Sequence, residues 1–210
     1  MFLDRADAGR RLAEALLGRF AEGGVVVLGI PRGGVIVAAA VARALGAPLD
    51  VVVPRKIGAP RNPELAVGAI AGDVQVWDLG LIRRLGVRTE YLREEVARQE
   101  AEIERRSSHY RAGREPASLA GTIAVIVDDG IATGATAAAA IRWVKSQGAA
   151  RAVLAVPVAP PDAVERLEKE ADEVVALETP RDFRAVGEWY GTFGQTSDAE
   201  VVHAMSQAAR

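Results

Sequence analysis

Five short apolar runs constrain this fold more than any other feature: residues 25–30, 49–53, 123–127, 152–158 and 173–177. They are rich in Val and Ile, and they read as continuous rather than alternating. A strand that is apolar on both faces is buried on both faces, as in a parallel sheet. Helical patterns fill most of the intervals between the runs. The order predicts a doubly wound, mostly parallel α/β sheet covered by helices on both faces. In such a sheet, ligands bind at the carboxyl ends of the strands.

The third run carries the most specific chemistry. Residues 122–136 read Thr-Ile-Ala-Val-Ile-Val-Asp-Asp-Gly-Ile-Ala-Thr-Gly-Ala-Thr and open into an Ala-rich helical pattern. A strand, a tight turn and a helix N-terminus form an anion site, because the first N–H groups of a helix are free and its dipole favours negative charge. Gly134 lets the backbone approach a phosphate, and Thr133 and Thr136 add hydroxyl donors. Asp128 and Asp129 would repel a bare phosphate but suit the hydroxyls of a sugar, or a metal ion bridging to the ligand. A sugar with a terminal phosphate and a vicinal diol satisfies both halves.

This stretch resembles the phosphoribosyl-pyrophosphate (PRPP) motif of type I phosphoribosyltransferases. Gly130 departs from the pattern, since many members carry a larger apolar residue there. The resemblance implies one phosphoribosyltransferase-like domain over residues 1–210, with a small hood drawn from parts of residues 65–115 and 179–210. It also implies transfer of a 5-phosphoribosyl group from PRPP to a nitrogen acceptor, with a nucleobase as the expected one, and release of pyrophosphate. The 5-phosphate would rest on Ala132, Thr133, Gly134, Ala135 and Thr136. Asp128 and Asp129 would hold the ribose hydroxyls. Mg2+ would sit mainly on substrate oxygens, with Asp128 and Asp129 as the candidate protein ligands.

The first run leads into Pro31-Arg32-Gly33-Gly34 and then a helix over residues 35–45 that stops at Gly46. Two glycines expose backbone N–H groups, and an arginine offers a forked donor for an anion. In the family, the loop at this place binds pyrophosphate. There is neither a Gly-x-Gly-x-x-Gly fingerprint nor a Gly-Lys-Ser/Thr loop. Residues 54–64 hold three prolines and the cations Arg55, Lys56 and Arg61, and they read as a long basic loop. The functional reading is a mobile lid that brings Arg55 and Lys56 over a polyphosphate as catalytic cations.

The other elements follow from periodicity. Residues 4–20 predict an amphipathic helix capped by Asp4 or Asp7, with Ala8, Leu12, Ala15, Leu16 and Phe20 on one face, ended by Gly23 and Gly24. Residues 65–70 and 74–77 predict a hairpin. Residues 79–106 predict one charged helix with Leu92, Val96, Gln99 and Ile103 on its inner face. Glu95 falls with the solvent-side charges, and Glu94–Arg98 and Glu102–Arg106 have ion-pair spacing. Asp162 and Glu165 predict a capping pair for a helix over residues 163–171, and Ser197 and Glu200 a capping box for the last helix. Phe183, Trp189, Tyr190 and Phe193 crowd a loop-like tail. They either fasten that tail to the body or form a stacking wall for a planar acceptor. Ile131, Trp189 and Tyr190, with Arg181 and Arg184, are the acceptor-side candidates.

Composition excludes several classes. The 210 residues carry a net charge of −2, which implies no general attraction to nucleic acid or anionic membrane. There is no cysteine, hence no thiol nucleophile or disulfide, and two histidines do not suggest a zinc site. The charged N-terminus and the lack of a ~20-residue apolar run predict a cytoplasmic protein without a membrane span. Its partners would be PRPP and a small-molecule acceptor, and the family implies a homodimer. Two rival readings remain open: a non-catalytic PRPP- or nucleotide-binding regulator of the same fold, and a hydrolase acting on a phosphorylated sugar.

Overall fold

The computed structural model describes residues 1–20 and 24–208. Five parallel strands form the main sheet: β1 (Val25–Gly29), β2 (Leu49–Val51), β6 (Ile123–Val127), β7 (Arg151–Val158) and β8 (Glu173–Glu178), in the order β2-β1-β6-β7-β8. Side chains alternate between two cores. Val27, Val125, Val127, Val153 and Val175 point to one face, under α1 (Arg5–Leu16), α2 (Gly33–Leu45), α4 (Thr89–Arg111) and α7 (Asp198–Gln207). Val26, Leu28, Ala124, Ile126 and Leu154 point to the other, under α5 (Ala135–Ser146) and α6 (Pro161–Leu167). Burial on both faces is what the continuous apolar runs require. Among the described residues, no helix is long and apolar enough to cross a membrane.

A second, antiparallel sheet is built from β3 (Arg55–Ala59), β4 (Asn62–Ala71) and β5 (Val74–Trp77). This corrects the expected long basic loop at residues 54–64. Most of it is the two arms of a hairpin turned at Pro60 and Arg61, with Arg61 at φ 67°. Its prolines disguised the strands. Pro54 precedes β3, Pro60 makes the turn, and Pro63 lies against Gly58, where the pairing register shifts. A bulge is where a strand tolerates a residue without an N–H. The hairpin turn between β4 and β5 falls where it was expected.

The expected single helix at residues 79–106 is two helices. Asp78 caps α3 (Leu79–Leu85), and Gly86 ends it in the left-handed region at φ 61°. The second helix, α4, runs on to Arg111, so Tyr110 is helical and fully buried. Glu95 is a buried residue of α4 rather than a solvent-side one, and Arg98 pairs with it instead of with Glu94. The expected Asp162 cap is also absent. Pro160 occupies the cap position, and Asp162 pairs with Arg166 at 2.8 Å. Asp4 does cap α1, and the Ser197–Glu200 capping box is present. The predicted break at Gly23 lies outside the described residues.

Residues 2–3 meet residues 189–192 beside the sheet. The Phe2 N–H donates to the Trp189 carbonyl, and the N–H groups of Gly191 and Thr192 donate to the carbonyls of Phe2 and Leu3. Phe2 and Tyr190 stack with ring centres 5.4 Å apart, and Tyr190 and Phe193 at 4.9 Å. With Val158, Val186 and Trp189, Phe2 and Tyr190 make a small third core.

Candidate functional site

The sheet reverses its winding between β1 and β6. From β1 the chain crosses to β2 on one side, and from β6 to β7 on the other. The loops leaving such a pair diverge and open a crevice. Gly29 and Val127 are register partners, and the Ile30 N–H donates to the Val127 carbonyl at 2.8 Å. Pro31–Gly34 and Asp128–Thr136 therefore start from adjacent points. The structure brings these two predicted loops together.

Glycine makes the approach possible. A Cβ on Gly33 would overlap the Asp129 carboxylate and come within 2.5 Å of Arg5 Nε. A Cβ on Gly34 would stand 2.8 Å from Asp128 Cα and from the Val127 carbonyl. The Pro31–Arg32 peptide is cis. The Arg32 side chain is partly exposed, and its Nη1 lies 4.0 Å from Asp198 Oδ1 on the first turn of α7. Asp198 also accepts from the Tyr110 hydroxyl at 2.8 Å. Burial, then the Asp198 bond, pushes the Tyr110 pKa up to about 12.

The acid pair is held asymmetrically. Asp128 Oδ1 accepts from the Asp129 N–H at 2.8 Å. Burial first, and then the charge of Asp129, raises the Asp128 pKa well above the ordinary carboxylate range. Asp129 is held by Arg5, whose Nε donates to Oδ2 at 2.7 Å. The Tyr190 hydroxyl donates to the Asp129 carbonyl at 2.5 Å. Burial of that phenol raises its pKa.

Gly134 is the N-cap of α5, at φ 78°, and no side chain caps the helix. Its first N–H groups stand at the place where the sequence leads one to expect an anion site. Ala132 and Thr133 are exposed, and Ala135 and Thr136 are half-buried. Gly130 is tightly occupied, because a Cβ there would overlap Val186 from the tail. The missing side chain at this position is thus replaced by a neighbour from far downstream in the chain.

Arg55 and Lys56 line a cavity of about 540 Å³ with Thr136, Tyr91 and Glu95. Arg55 Nε donates to Gln99 Oε1 at 2.8 Å, and burial lowers its pKa. Both cations therefore stand beside Thr136 at the start of α5, on a hairpin rather than a free loop. Of the acceptor-side candidates, Ile131 and Tyr190 are buried, Trp189 is half-buried, and Arg181 and Arg184 are exposed. The Trp189 indole N–H is buried without a hydrogen-bond partner among the described residues. Three residues in this region escaped the sequence reading: Arg5, Asp198 and Glu95. Arg5 and Asp198 reach their partners through tertiary packing, Glu95 bonds to Arg98 and Gln99 within α4, and only the helix-start position of Arg5 and Asp198 hinted at proximity to a strand end.

No cluster of three or more His, Cys, Asp or Glu side chains forms among the described residues. The acid pair still fits the Mg2+ that the motif implies. That ion keeps several waters and needs only one or two carboxylates when a phosphorylated substrate supplies oxygens.

Residues 2–73 and 76–189 match a family model described as "Phosphoribosyl transferase domain". The chain is 50% identical, over its full length, to the Mycobacterium tuberculosis protein named "Putative phosphoribosyl transferase Rv0571c". It covers 47% of that protein, so it spans about half the length of the curated relatives it matches. The crystal structure of TT1426 from Thermus thermophilus aligns with a TM-score of 0.83 at 48% identity, over 98% of each chain. A hypoxanthine phosphoribosyltransferase from Staphylococcus aureus aligns with a TM-score of 0.50 at 13% identity, over 94% of this chain and 89% of that one, a likeness of fold alone.

Proposed function

Because the chain belongs to the phosphoribosyl transferase domain family, we propose that it transfers a 5-phosphoribosyl group from PRPP to a nitrogen acceptor and releases pyrophosphate. The observation that carries this reading is the steric union of the two loops at the switch point, with Gly33 pressed on Asp129 and Gly34 on Asp128. A donor with phosphates at both ends and a diol between them matches that spacing of chemistry.

In this reading the free N–H groups of α5, with Thr133, Gly134, Ala135 and Thr136, hold the 5-phosphate. Asp128 and Asp129 accept from the ribose hydroxyls. Arg32 and the N–H groups of Gly33 and Gly34 take the pyrophosphate. Arg55 and Lys56 face the phosphate side across the cavity they share with Thr136. Mg2+ bound to substrate oxygens beside the acid pair would neutralise charge on the departing pyrophosphate. No nucleophile is required of the protein, because holding donor, acceptor and leaving group in line supplies much of the acceleration. The acceptor enters on the tail side, with Ile131 and Trp189 as the wall residues. Tyr190 supports that wall from behind.

The test is pyrophosphate release from PRPP and Mg2+ across purine, pyrimidine and non-nucleobase acceptors, with PRPP binding measured in parallel by calorimetry. Acceptor-dependent release supports the transferase. Binding without release across a broad panel would move the protein to the ligand-sensing reading.

A further inference from the structure

Arg5 stands 124 residues from Asp129 in the chain, yet it is among the most enclosed cations of the site. Its side chain is 13% exposed and that of Asp129 17%. Three contacts fix it: Nε to Asp129 Oδ2 at 2.7 Å, Nη1 to the Gly194 carbonyl at 2.8 Å, and the guanidinium 4.0 Å from the centre of the Phe193 ring. The place a Cβ would take on Gly33 is bounded by Arg5 Nε and by Asp129. Arg5 therefore lies where the pyrophosphate loop and the acid pair meet.

We propose that Arg5 is a positioning residue of the transfer site, which aims Asp129 at the ribose diol and makes that aim depend on the joined N- and C-terminal segments. The proposal rests on the PRPP reading given above. Asp129 has two oxygens and a carbonyl to be oriented. Arg5 fixes Oδ2 against Gly33, and Tyr190 fixes the carbonyl. A planar fork with one bond on Asp129 and another on Gly194 sets direction as well as charge. Both holders belong to one strap. Arg5 follows the segment paired with residues 189–192, and Tyr190 stacks on Phe2. Phe193 and Gly194 then clamp the guanidinium from the tail. A packing role alone would not explain a charged donor set on the acid that the donor's diol requires.

Calorimetric titration of PRPP with Mg2+ into wild type, Arg5→Gln, Arg5→Lys, Asp129→Asn and the Arg5→Gln/Asp129→Asn double variant decides this, with thermal melts to confirm folding. Arg5→Gln should weaken PRPP binding about tenfold to a hundredfold, the scale of a charge-assisted hydrogen bond. Arg5→Lys should recover part of the loss. The double variant should bind about as weakly as the poorer single variant, because a residue that acts through Asp129 has nothing to aim once the carboxylate is gone. Penalties that add in full, or Arg5→Gln binding like wild type, would overturn the role. Wild-type protein that fails to bind PRPP overturns the donor reading and this role together, an outcome distinct from wild-type binding that Arg5→Gln leaves intact.

Discussion

Gly33 faces the Asp129 carboxylate so closely that no Cβ fits between them. The loop after β1 and the acid pair after β6 are thus one steric unit. Gly33 is the first residue of α2, and its φ is not in the left-handed region, so the backbone itself would accept alanine. The conflict lies wholly with Asp129 and Arg5. Gly33→Ala is expected to displace the carboxylate, weaken PRPP binding at least about tenfold and cost about 1–3 kcal/mol of stability, the range for overpacking. Calorimetry and a thermal melt read the two effects. A variant that binds PRPP normally would show that the two loops act separately.

Asp128 sets stability against ligand binding. Its pKa is raised in the folded state by burial and by Asp129, so the native protein holds this proton more tightly than the unfolded chain does. The contribution is favourable below the ordinary value of 3.8 and is lost as pH rises through the folded pKa. Above that range the buried carboxyl is a burden to the folded state. Asp128→Asn removes it and keeps an oxygen for the Asp129 N–H. The variant should melt at or above the wild-type temperature at pH 7, with the gap closing as pH falls toward about 4. It should bind PRPP about tenfold to a hundredfold more weakly. A lower melting temperature at pH 7 would contradict the argument.

Asp50 provides the contrast of a purely structural acid. It is 5% exposed and accepts from the Val51 N–H, Arg111 Nε at 2.8 Å and the Ala117 N–H at 2.9 Å. These bonds tie the end of α4 and the segment after it to the edge strand β2. Asp50→Ala strands the Arg111 guanidinium and is expected to cost about 3–5 kcal/mol, as breaking a buried pair does. PRPP affinity should stay within about twofold under conditions where the variant is folded. Chemical denaturation and calorimetry together check it.

How much of this was legible depends on sequence distance. The loops at Pro31–Gly34 and Asp128–Thr136 each lie within one strand–turn–helix unit, so their residues announced a local geometry. Their meeting was implied once the strands were read as parallel. Arg5 was illegible because it is one arginine among several on α1, and only tertiary packing sets it on Asp129. The β3–β4 hairpin was hidden by its prolines, whose harmless placement at a turn and a bulge depends on the partner strand. Gly86 sits inside a helical period, so the break it makes between α3 and α4 does not stand out from the pattern. Glu95 looked like a solvent charge because the burial of one side of α4 depends on the hairpin packed against it.

That burial bears on the basic hairpin. Arg55 Nε donates to Gln99 Oε1 at 2.8 Å, Gln99 Nε2 donates to Glu95 Oε1 at 2.7 Å, and Glu95 pairs with Arg98. The Tyr91 hydroxyl anchors the same hairpin through the Gly58 carbonyl at 2.9 Å. Burial lowers the Arg55 pKa, Arg106 adds repulsion, and Glu102 offsets part of it. A half-buried arginine under those forces keeps its orientation because Gln99 accepts from it. Gln99→Leu preserves most of the volume and removes the acceptor, so Arg55 should swing toward solvent. If Arg55 serves the departing pyrophosphate, kcat should fall about tenfold, the scale of one hydrogen bond to a charged group. KM for PRPP should change little, because the phosphate loop and acid pair are untouched. Steady-state kinetics with the acceptor found active, alongside Arg55→Ala, checks the prediction. Arg55→Ala slow but Gln99→Leu at full rate would mean that Arg55 finds its orientation from the ligand; both at full rate would remove Arg55 from the reaction.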